Sequence, residues 1–390
     1  MKINIPDILA AGILFSTLST GLAQENSSME TAPFVKGGVY DKPYLTRAGR
    51  ISIGGYADAQ FRFEREGGVT EEMTFVAQRF NLFTFAPVSD RVRVISEIEF
   101  EEGGGKIALE LAMLDFEIHQ SLTFRAGVLL CPIGRFNLSH DSPINPMVDR
   151  PLVSTEIIPS TLSETGMGFY GAIFPSRNTR VIYELYGVNG LNDGIINTSE
   201  GGTRLSNGKH NFEDNNNHPS LASRVAVSPI PQVEVGFSTL IGPYNVFDAE
   251  GLEIDDKRNL NLYAFDGEVN WKSYYLNWEV ASASIDIYPH LRGIYAGRQS
   301  GFYLDAGARF FEGKISNLPG SLFIAAFRID AVDFDAKIDG DDQRQITLGL
   351  NFKPVKDTVF KFNYVRSWAS DRFNVETPSA SILVGVATYF

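Results

Sequence analysis

The sequence lacks disulfides and long apolar runs. Its 390 residues contain one cysteine, Cys131, so no internal disulfide can form. After Ala23 no apolar stretch approaches the roughly 20 residues that a membrane-spanning helix requires. The mean hydropathy of -0.07 is also too polar for a helical membrane protein. These absences exclude a disulfide-stabilised domain and a bundle of membrane-spanning helices.

Basic residues and histidines are also scarce. Lysine and arginine number 34 against 47 aspartates and glutamates, and the resulting formal charge of -13 would repel a nucleic acid. The five histidines show no paired ligand spacing, so no zinc site, other metal site or cofactor is predicted. Aromatic residues, in contrast, reach 12%. An aromatic-rich chain of low mean hydropathy indicates strands with one apolar and one polar face.

The N-terminus has the pattern of a secretory signal, predicted over residues 1–23. Met1-Lys2 is a short basic start, residues 8–14 are apolar, and Gly21-Leu22-Ala23 is a small-x-small cleavage site. Residues 24–50 are predicted to be a polar periplasmic segment, which could plug a lumen, form a stalk or be a disordered leader. An exported chain without a membrane helix belongs to the periplasm, the outer membrane or the exterior.

The segment 379–390 alternates between apolar and small or polar residues. Ser381 and Gly385 fall on one face of an extended strand. The opposite face carries Ile382, Val384, Val386 and Phe390. A closed membrane barrel ends in this way, whereas the edge strand of a soluble sandwich is the alternative. Phe390 is predicted to be the signal by which the barrel-assembly machinery engages the C-terminal strand.

Strand-like segments recur along the chain. They lie near 51–65, 73–87, 90–101, 105–118, 122–131, 164–174, 179–189, 218–229, 232–242, 258–271, 274–285, 299–313, 320–336, 342–354, 357–367 and 379–390. Tight turns alternate with longer connections, as expected for short periplasmic turns and long extracellular loops. The predicted fold class is all-β, a transmembrane antiparallel β-barrel of about 16 strands over residues 51–390. Its predicted location is the outer membrane of a Gram-negative bacterium.

One predicted strand, 105–118, breaks the alternation. Leu109 and Leu111 share one parity, whereas Leu114 and Phe116 have the other. A β-bulge or a misplaced boundary would account for the change.

Charged residues of the strands are predicted to face inward, because Arg or Lys on the lipid face at mid-membrane costs about 2–4 kcal/mol. The predicted pore-lining and selectivity residues are Arg62, Arg79, Arg93, Arg125, Arg135, Arg224, Arg309, Arg328, Lys361, Glu97, Glu99 and Asp305. Two interpretations stay open for most of them. They could be ion pairs that brace the wall, or they could set the field that a passing solute experiences.

The third long connection, 132–163, is predicted to fold inward and narrow the channel. Its five prolines fix backbone angles and remove donors, which favours an ordered arm over a mobile lid. The arm carries the charged residues Arg135, Asp141, Asp149, Arg150 and Glu156. An outward surface loop is the alternative.

Several short motifs resemble the phosphate-selective porin O and P family. They are Arg125-Ala126-Gly127, Pro132-Ile133-Gly134, Asp149-Arg150-Pro151, Gly54-Gly55-Tyr56-Ala57-Asp58 and Tyr186-Gly187-Val188-Asn189-Gly190. The likeness extends thinly over the mature chain and is densest at 120–190. It implies a sixteen-stranded homotrimeric channel with inward-folded loops and positive residues that guide anions. This chain departs from the family pattern in its acidic charge and in having no dense lysine cluster.

The predicted function is a passive diffusion channel for small charged solutes, with phosphate-like anions as candidates. Its predicted partners are the lipid bilayer, lipopolysaccharide, the solutes and further copies of the chain in a homotrimer. A non-conducting structural or adhesive barrel, a barrel hydrolase and a secreted soluble β-sandwich are the alternatives.

Two motifs suggest other chemistry. Ser139-His140-Asp141 has the residue types of a hydrolase triad, but adjacent residues of an extended chain point in opposite directions. An acidic hairpin could take up calcium, although its spacing misses the EF-hand template and a solvated acidic turn is the predicted interpretation. Its aspartates are Asp333, Asp335, Asp339, Asp341 and Asp342.

Overall fold

The computed structural model describes residues 42, 46–48, 51–196, 202–209 and 212–390. The predicted signal peptide 1–23 lies outside the described residues. Of the predicted segment 24–50, only Lys42 and the short strand Thr46–Ala48 are described. Within the described residues, no helix is both long and apolar enough to cross a bilayer.

Strands dominate the described chain. They are β1 (Thr46–Ala48), β2 (Ile51–Glu66), β3 (Val69–Pro87), β4 (Val92–Glu101), β5 (Lys106–His119), β6 (Leu122–Leu130), β7 (Ser163–Ile173), β8 (Arg180–Val188), β9 (Ser220–Ile230), β10 (Val233–Pro243), β11 (Asp248–Ala249), β12 (Leu252–Glu253), β13 (Asn259–Trp271), β14 (Tyr274–Ile285), β15 (Arg298–Phe310), β16 (Leu322–Asp333), β17 (Asp342–Val355), β18 (Thr358–Ser370) and β19 (Glu376–Tyr389). One helical turn, α1 (Arg135–Leu138), and a π-helical turn (Val153–Ile157) lie between β6 and β7. Short 3₁₀ turns occur at Glu102–Gly104, Asp193–Ile195, Leu205–Gly208 and Pro289–Leu291.

Sixteen of these strands, β2 to β10 and β13 to β19, form one closed antiparallel ring. Each pairs with its neighbour in the chain, apart from the β11–β12 hairpin that lies between β10 and β13. The last strand, β19, pairs with β2 and closes the ring. The prediction of an all-β antiparallel barrel with about 16 strands is therefore confirmed.

The period-two alternation explains which face of each strand is outside. In β17, Ile346, Leu348 and Leu350 are 38% to 52% exposed, whereas Thr347 and Asn351, which have the other parity, are at most 3% exposed. In this strand, apolar side chains therefore cover the outer face and polar side chains face the interior.

The irregular strand β5 contains the predicted bulge. Leu111 lies opposite Glu97 and Leu109 lies opposite Ile98, so Glu110 is the extra residue. The bulge turns Glu110 and Leu111 inward, with exposures of 3% and 1%, while Leu109 stays outside. This bulge explains why the apolar residues of β5 change from one parity to the other along the sequence.

The lengths of the connections follow the predicted alternation, with exceptions. Residues 131–162, 189–219, 244–258 and 286–297 all join strands on one side of the barrel. Between β2 and β3, on the same side, Gly67 and Gly68 alone form the turn, both with positive φ, where the sequence predicted a longer connection. On the turn side, 311–321 is long.

Candidate solute pathway

The segment 131–162, called the arm below, is held together at its two ends. The side-chain amide of Asn137 donates to the carbonyl oxygens of Cys131 (2.8 Å) and Leu162 (3.0 Å). The amide N–H of Leu162 donates back to Oδ1 of Asn137 at 2.8 Å. Asn137 is fully buried, so these bonds fix the point where the arm leaves β6 and enters β7.

One side of the arm is apolar and packs inside the barrel. Its buried residues include Ile133, Phe136, Leu138, Val153, Ile157, Ile158 and Leu162. They belong to one cluster with inward-facing wall residues such as Leu111, Leu129 and Leu262. This apolar core fills the barrel on the side that runs from β5 through β10 to β13 and β14, where the sequence predicted a polar interior.

The other side of the arm is bonded to inward-facing polar residues of β16 and β18. The N–H of Val148 donates to Oδ1 of Asn363 at 2.7 Å, and the N–H of Leu152 donates to Oδ1 of Asp330 at 2.9 Å. Nζ of Lys361 donates to the carbonyl oxygens of Ser142 (2.8 Å) and Met147 (3.0 Å). The arm thus crosses the interior from β6 to the opposite wall.

A buried ionic cluster holds the arm at Asp141. The hydroxyl of Tyr389 donates to Asp141 at 2.9 Å, and Nζ of Lys42 lies 3.1 Å from the same carboxylate. Lys42 also contacts the carboxylate of Glu97 on β4. Lys42 therefore lies inside the barrel, between the wall and the arm.

A cavity of about 440 Å³ remains between the arm and the wall formed by β2, β3, β17, β18 and β19. From the arm it is lined by Val148, Asp149, Arg150, Leu152, Thr155 and Glu156. The connections above this wall include the shortest on the loop side, at 67–68, together with the short connections 371–375 and 334–341. The longest connections lie above the opposite wall.

Two arginines of the predicted set line this cavity, and both have carboxylate partners. The Arg62 guanidinium spans the carboxylate of Asp149 with distances of 2.7 and 3.2 Å, and its Nε lies 3.3 Å from Glu72. Arg79 contacts Glu99 at 2.8 Å and Glu101 at 3.1 Å. Most of their charge is therefore compensated locally.

Arg150 differs from these two residues. Its Nη1 lies 3.4 Å from the hydroxyl of Thr161, and its buried Nη2 has no hydrogen-bond partner in the described part of the chain. No carboxylate of the described residues lies within 4.0 Å of it. Burial and the charge of Arg79 lower the pKa of Arg150, but an arginine side chain stays protonated at neutral pH. Arg150 is thus a cation at the cavity that forms no ion pair with a described residue, although the charges of Glu99 and Glu110 also act on it.

Lys209 extends the positive charge near Arg150. Burial and the charges of Arg150 and Lys106 lower the pKa of Lys209 to about 8. Lys209 lies in the connection between β8 and β9, outside the barrel strands.

The other predicted charges are mostly buried in ion pairs of the wall. Arg125 contacts Asp115 at 2.7 and 2.9 Å, and Arg224 contacts Asp266, with one distance of 2.7 Å. Arg328 lies 2.9 Å from Asp305. These three arginines are at most 3% exposed. Their role in selectivity stays a prediction.

The remaining predicted residues have these partners. Arg135 lies 2.6 Å from Glu268, Arg93 lies 3.5 Å from Glu117, and Nη2 of Arg309 donates to Oδ1 of Asn270 at 3.2 Å. Arg150 is among the charged residues predicted on the arm, but it is not in the predicted selectivity set. The signal that could have identified it is the adjacent Asp149-Arg150 pair on a proline-rich arm.

The two motifs that suggested other chemistry also have defined contacts. Nε2 of His140 lies 2.9 Å from Glu110, and its Nδ1 contacts the carbonyl oxygen of Asn137, whereas Asp141 binds Lys42 and Tyr389. Around the acidic hairpin, as elsewhere in the described segments, no group of three His, Cys, Asp or Glu could hold a metal ion.

No protein-family model matches the sequence. An uncharacterized protein of Aquifex aeolicus (strain VF5) is 26% identical over 378 residues, which cover 87% of this chain and 81% of that protein.

Solved outer-membrane proteins resemble the structure. The anion-selective porin from Comamonas acidovorans has a TM-score of 0.56 at 11% identity, covering 87% of this chain and 99% of the porin. The outer membrane channel DcaP of Acinetobacter baumannii has a TM-score of 0.54 at 13% identity, covering 87% and 97%. The trimer form of OmpT of Vibrio cholerae has a TM-score of 0.53 at 9% identity, covering 88% and 100%. At these identities the likeness shows the barrel fold.

Proposed function

We propose that this chain is an outer-membrane channel of a Gram-negative bacterium, through which small charged solutes diffuse passively, with a preference for anions. The apolar outer face suits a lipid environment, and the cavity beside the arm supplies a polar path. The observation that carries the anion preference is Arg150, a cation without a carboxylate partner among the described residues.

The mechanism is electrostatic and breaks no bond. In a narrow aqueous path, a guanidinium that is not bonded to a carboxylate raises the local concentration of anions. The cavity is also lined by the carboxylates of Glu64, Asp149 and Glu156, which keep anion binding weak enough for release. Ion pairs elsewhere in the wall hold its shape.

The same proposal includes the surroundings of the barrel. Lipopolysaccharide and phospholipid would contact the apolar outer face, and the barrel-assembly machinery would engage β19 and Phe390. A homotrimer fits the proposal, since a structurally similar barrel, OmpT of Vibrio cholerae, has a trimer form.

Planar-bilayer recordings test the proposal through Arg150→Gln. Wild-type protein should give stepwise currents and, in a KCl gradient, a reversal potential of anion-selective sign. One unit charge at 4 Å is worth about 1 kcal/mol even in bulk water, so the variant should lower the chloride-to-potassium permeability ratio about fivefold. Arg177→Gln, at an exposed turn on the opposite side, removes the same charge from the chain and should leave the ratio unchanged. An unchanged ratio in Arg150→Gln would remove that residue from selectivity.

A non-conducting structural barrel is the second candidate, favoured by the apolar core and by Lys42 inside the barrel. Absence of current from protein with normal heat-modifiable gel mobility would support it against the channel.

A further inference from the structure

Resting on the proposed channel function, we infer that the cavity beside the arm prefers small organic anions that carry several hydroxyl groups, such as sugar acids and sugar phosphates. Alkyl anions of equal charge and similar length would pass less readily. The juxtaposition that points to this solute class is a cation on the arm opposite an uncharged wall of amides and hydroxyls.

The uncharged wall is formed by three adjacent strands. Its polar members are Gln343 and Gln345 on β17, Ser367 on β18, and Ser379 and Ser381 on β19. Nε2 of Gln343 donates to Oγ of Ser367 at 3.1 Å, whereas Nε2 of Gln345 is 3.4 Å from Thr347, a long contact. None of the cavity-lining residues from these strands is charged.

Amides and hydroxyls are suited to solute hydroxyl groups. A serine hydroxyl both donates and accepts, and a glutamine side chain offers two donors and an accepting carbonyl. A solute hydroxyl also both donates and accepts. Each solute hydroxyl can therefore replace a hydrogen bond to water with a hydrogen bond to the wall. An alkyl chain at the wall would instead displace water without replacing its bonds, which is unfavourable.

The opposite side of the cavity suits the anionic group. Arg150 lines the cavity and forms no ion pair with a described residue, and guanidinium geometry matches carboxylate and phosphate oxygens. Arg62 and Arg79 line the cavity as well, but their guanidinium groups are already bonded to carboxylates. A bound anion would therefore place its charge at Arg150 and its hydroxyl groups towards β17, β18 and β19.

Gluconate and hexanoate distinguish hydroxyl recognition from charge recognition, because both are monoanions with six carbons. Their potassium salts are compared with KCl in planar bilayers at pH 8 by measuring reversal potentials under bi-ionic conditions. In wild-type protein, gluconate should permeate about fivefold better than hexanoate, as expected for one net hydrogen bond.

A variant of the uncharged wall tests the cause of that preference. Gln345→Met, Ser379→Ala and Ser381→Ala together keep side-chain shape but remove the polar groups, and should bring the gluconate-to-hexanoate ratio to about one. Arg150→Gln should reduce the permeability of both anions relative to potassium while the ratio between them persists. Ser273→Ala, in the turn between β13 and β14, is the control for a serine substitution away from the cavity.

The outcomes separate this inference from the proposed function. Anion-selective currents with equal gluconate and hexanoate permeability in wild type, or a ratio that the wall variant leaves unchanged, would overturn the inference alone. Correctly folded wild-type protein that passes no current would overturn the proposed channel and, with it, this solute preference. Heat-modifiable gel mobility of every variant establishes that the barrel has formed.

Discussion

Gly55 lies where the barrel closes, and its neighbours leave no space for a side chain. Its backbone exchanges hydrogen bonds with Phe390, each 3.0 Å long, beside the last pairs of β19 with β2. A Cβ atom at Gly55 would collide with the carbonyl oxygen of Asn81 and lie 2.7 Å from the ring of Phe390. The Phe390 ring stacks on Phe80 with centroids 5.3 Å apart, so it has little freedom to move.

Gly55→Ala should therefore destabilise closure of the barrel. Overpacking of this kind costs about 1–3 kcal/mol. We expect a lower yield of the heat-modifiable folded form and a lower urea midpoint for unfolding. Gly320→Ala is the matched control, because a Cβ atom there would meet nothing within 4 Å. Equal behaviour of the two variants would contradict this account of Gly55.

Lys209 predicts a pH dependence of the proposed channel on the alkaline side. With a pKa of about 8, Lys209 is mostly protonated at pH 7 and mostly neutral at pH 9. Rising pH therefore removes positive charge near Arg150, and the chloride-to-potassium permeability ratio should fall over this range. Lys209→Met should show the lower ratio at pH 7 already and lose the dependence. A ratio that rises with pH in wild type would refute the assignment.

At the scale of elements, the arm is bonded to the barrel wall and divides the interior. Lys361 is 4% exposed and binds two carbonyl oxygens of the arm, while Asn363 accepts a bond from Val148. Hydrogen bonds to charged groups contribute about 1.5–3 kcal/mol each. The arm is therefore held by charge-assisted bonds on one side and by apolar packing on the other.

Lys361→Met should loosen the arm where it borders the cavity. The carbonyl oxygens of Ser142 and Met147 would lose their donor, so the open-channel current should fluctuate more than in wild type. Lys356→Met, in the exposed turn between β17 and β18, removes the same charge without touching the arm. Current noise that matches this control would show that Lys361 does not hold the arm.

The strands could be predicted from sequence because lipid outside and polar groups inside impose a period of two. The same signal exposed the bulge at Glu110, where the parity changes. The start of β3 was misjudged because both faces of Val69–Glu72 are largely exposed, so no alternation marks them. The partners of lumen charges were not predictable, since pairs such as Arg224 and Asp266 meet only through the register of β9, β10 and β13.

At the scale of the whole molecule, the interior is divided into a packed side and an open side. The apolar core occupies the side that runs from β5 through β10 to β13 and β14, and the cavity borders β2, β3 and β17 to β19. Sequence alternation assigns every inward-facing residue to the same lumen, so it cannot distinguish these two sides. The division follows from where the arm lies.

The central claim is that solutes pass on the open side only. Two isosteric cysteine variants, Ser379→Cys and Ser238→Cys, test it most directly. Ser379 lines the cavity. Ser238 is fully buried, and its hydroxyl accepts a hydrogen bond from the N–H of Gly134 in the arm. Native Cys131 is fully buried and should not react. A charged methanethiosulfonate reagent, added during single-channel recording, should reduce the current of Ser379→Cys and leave that of Ser238→Cys unchanged. Reduction of the Ser238→Cys current, with Ser379→Cys unaffected, would contradict the account.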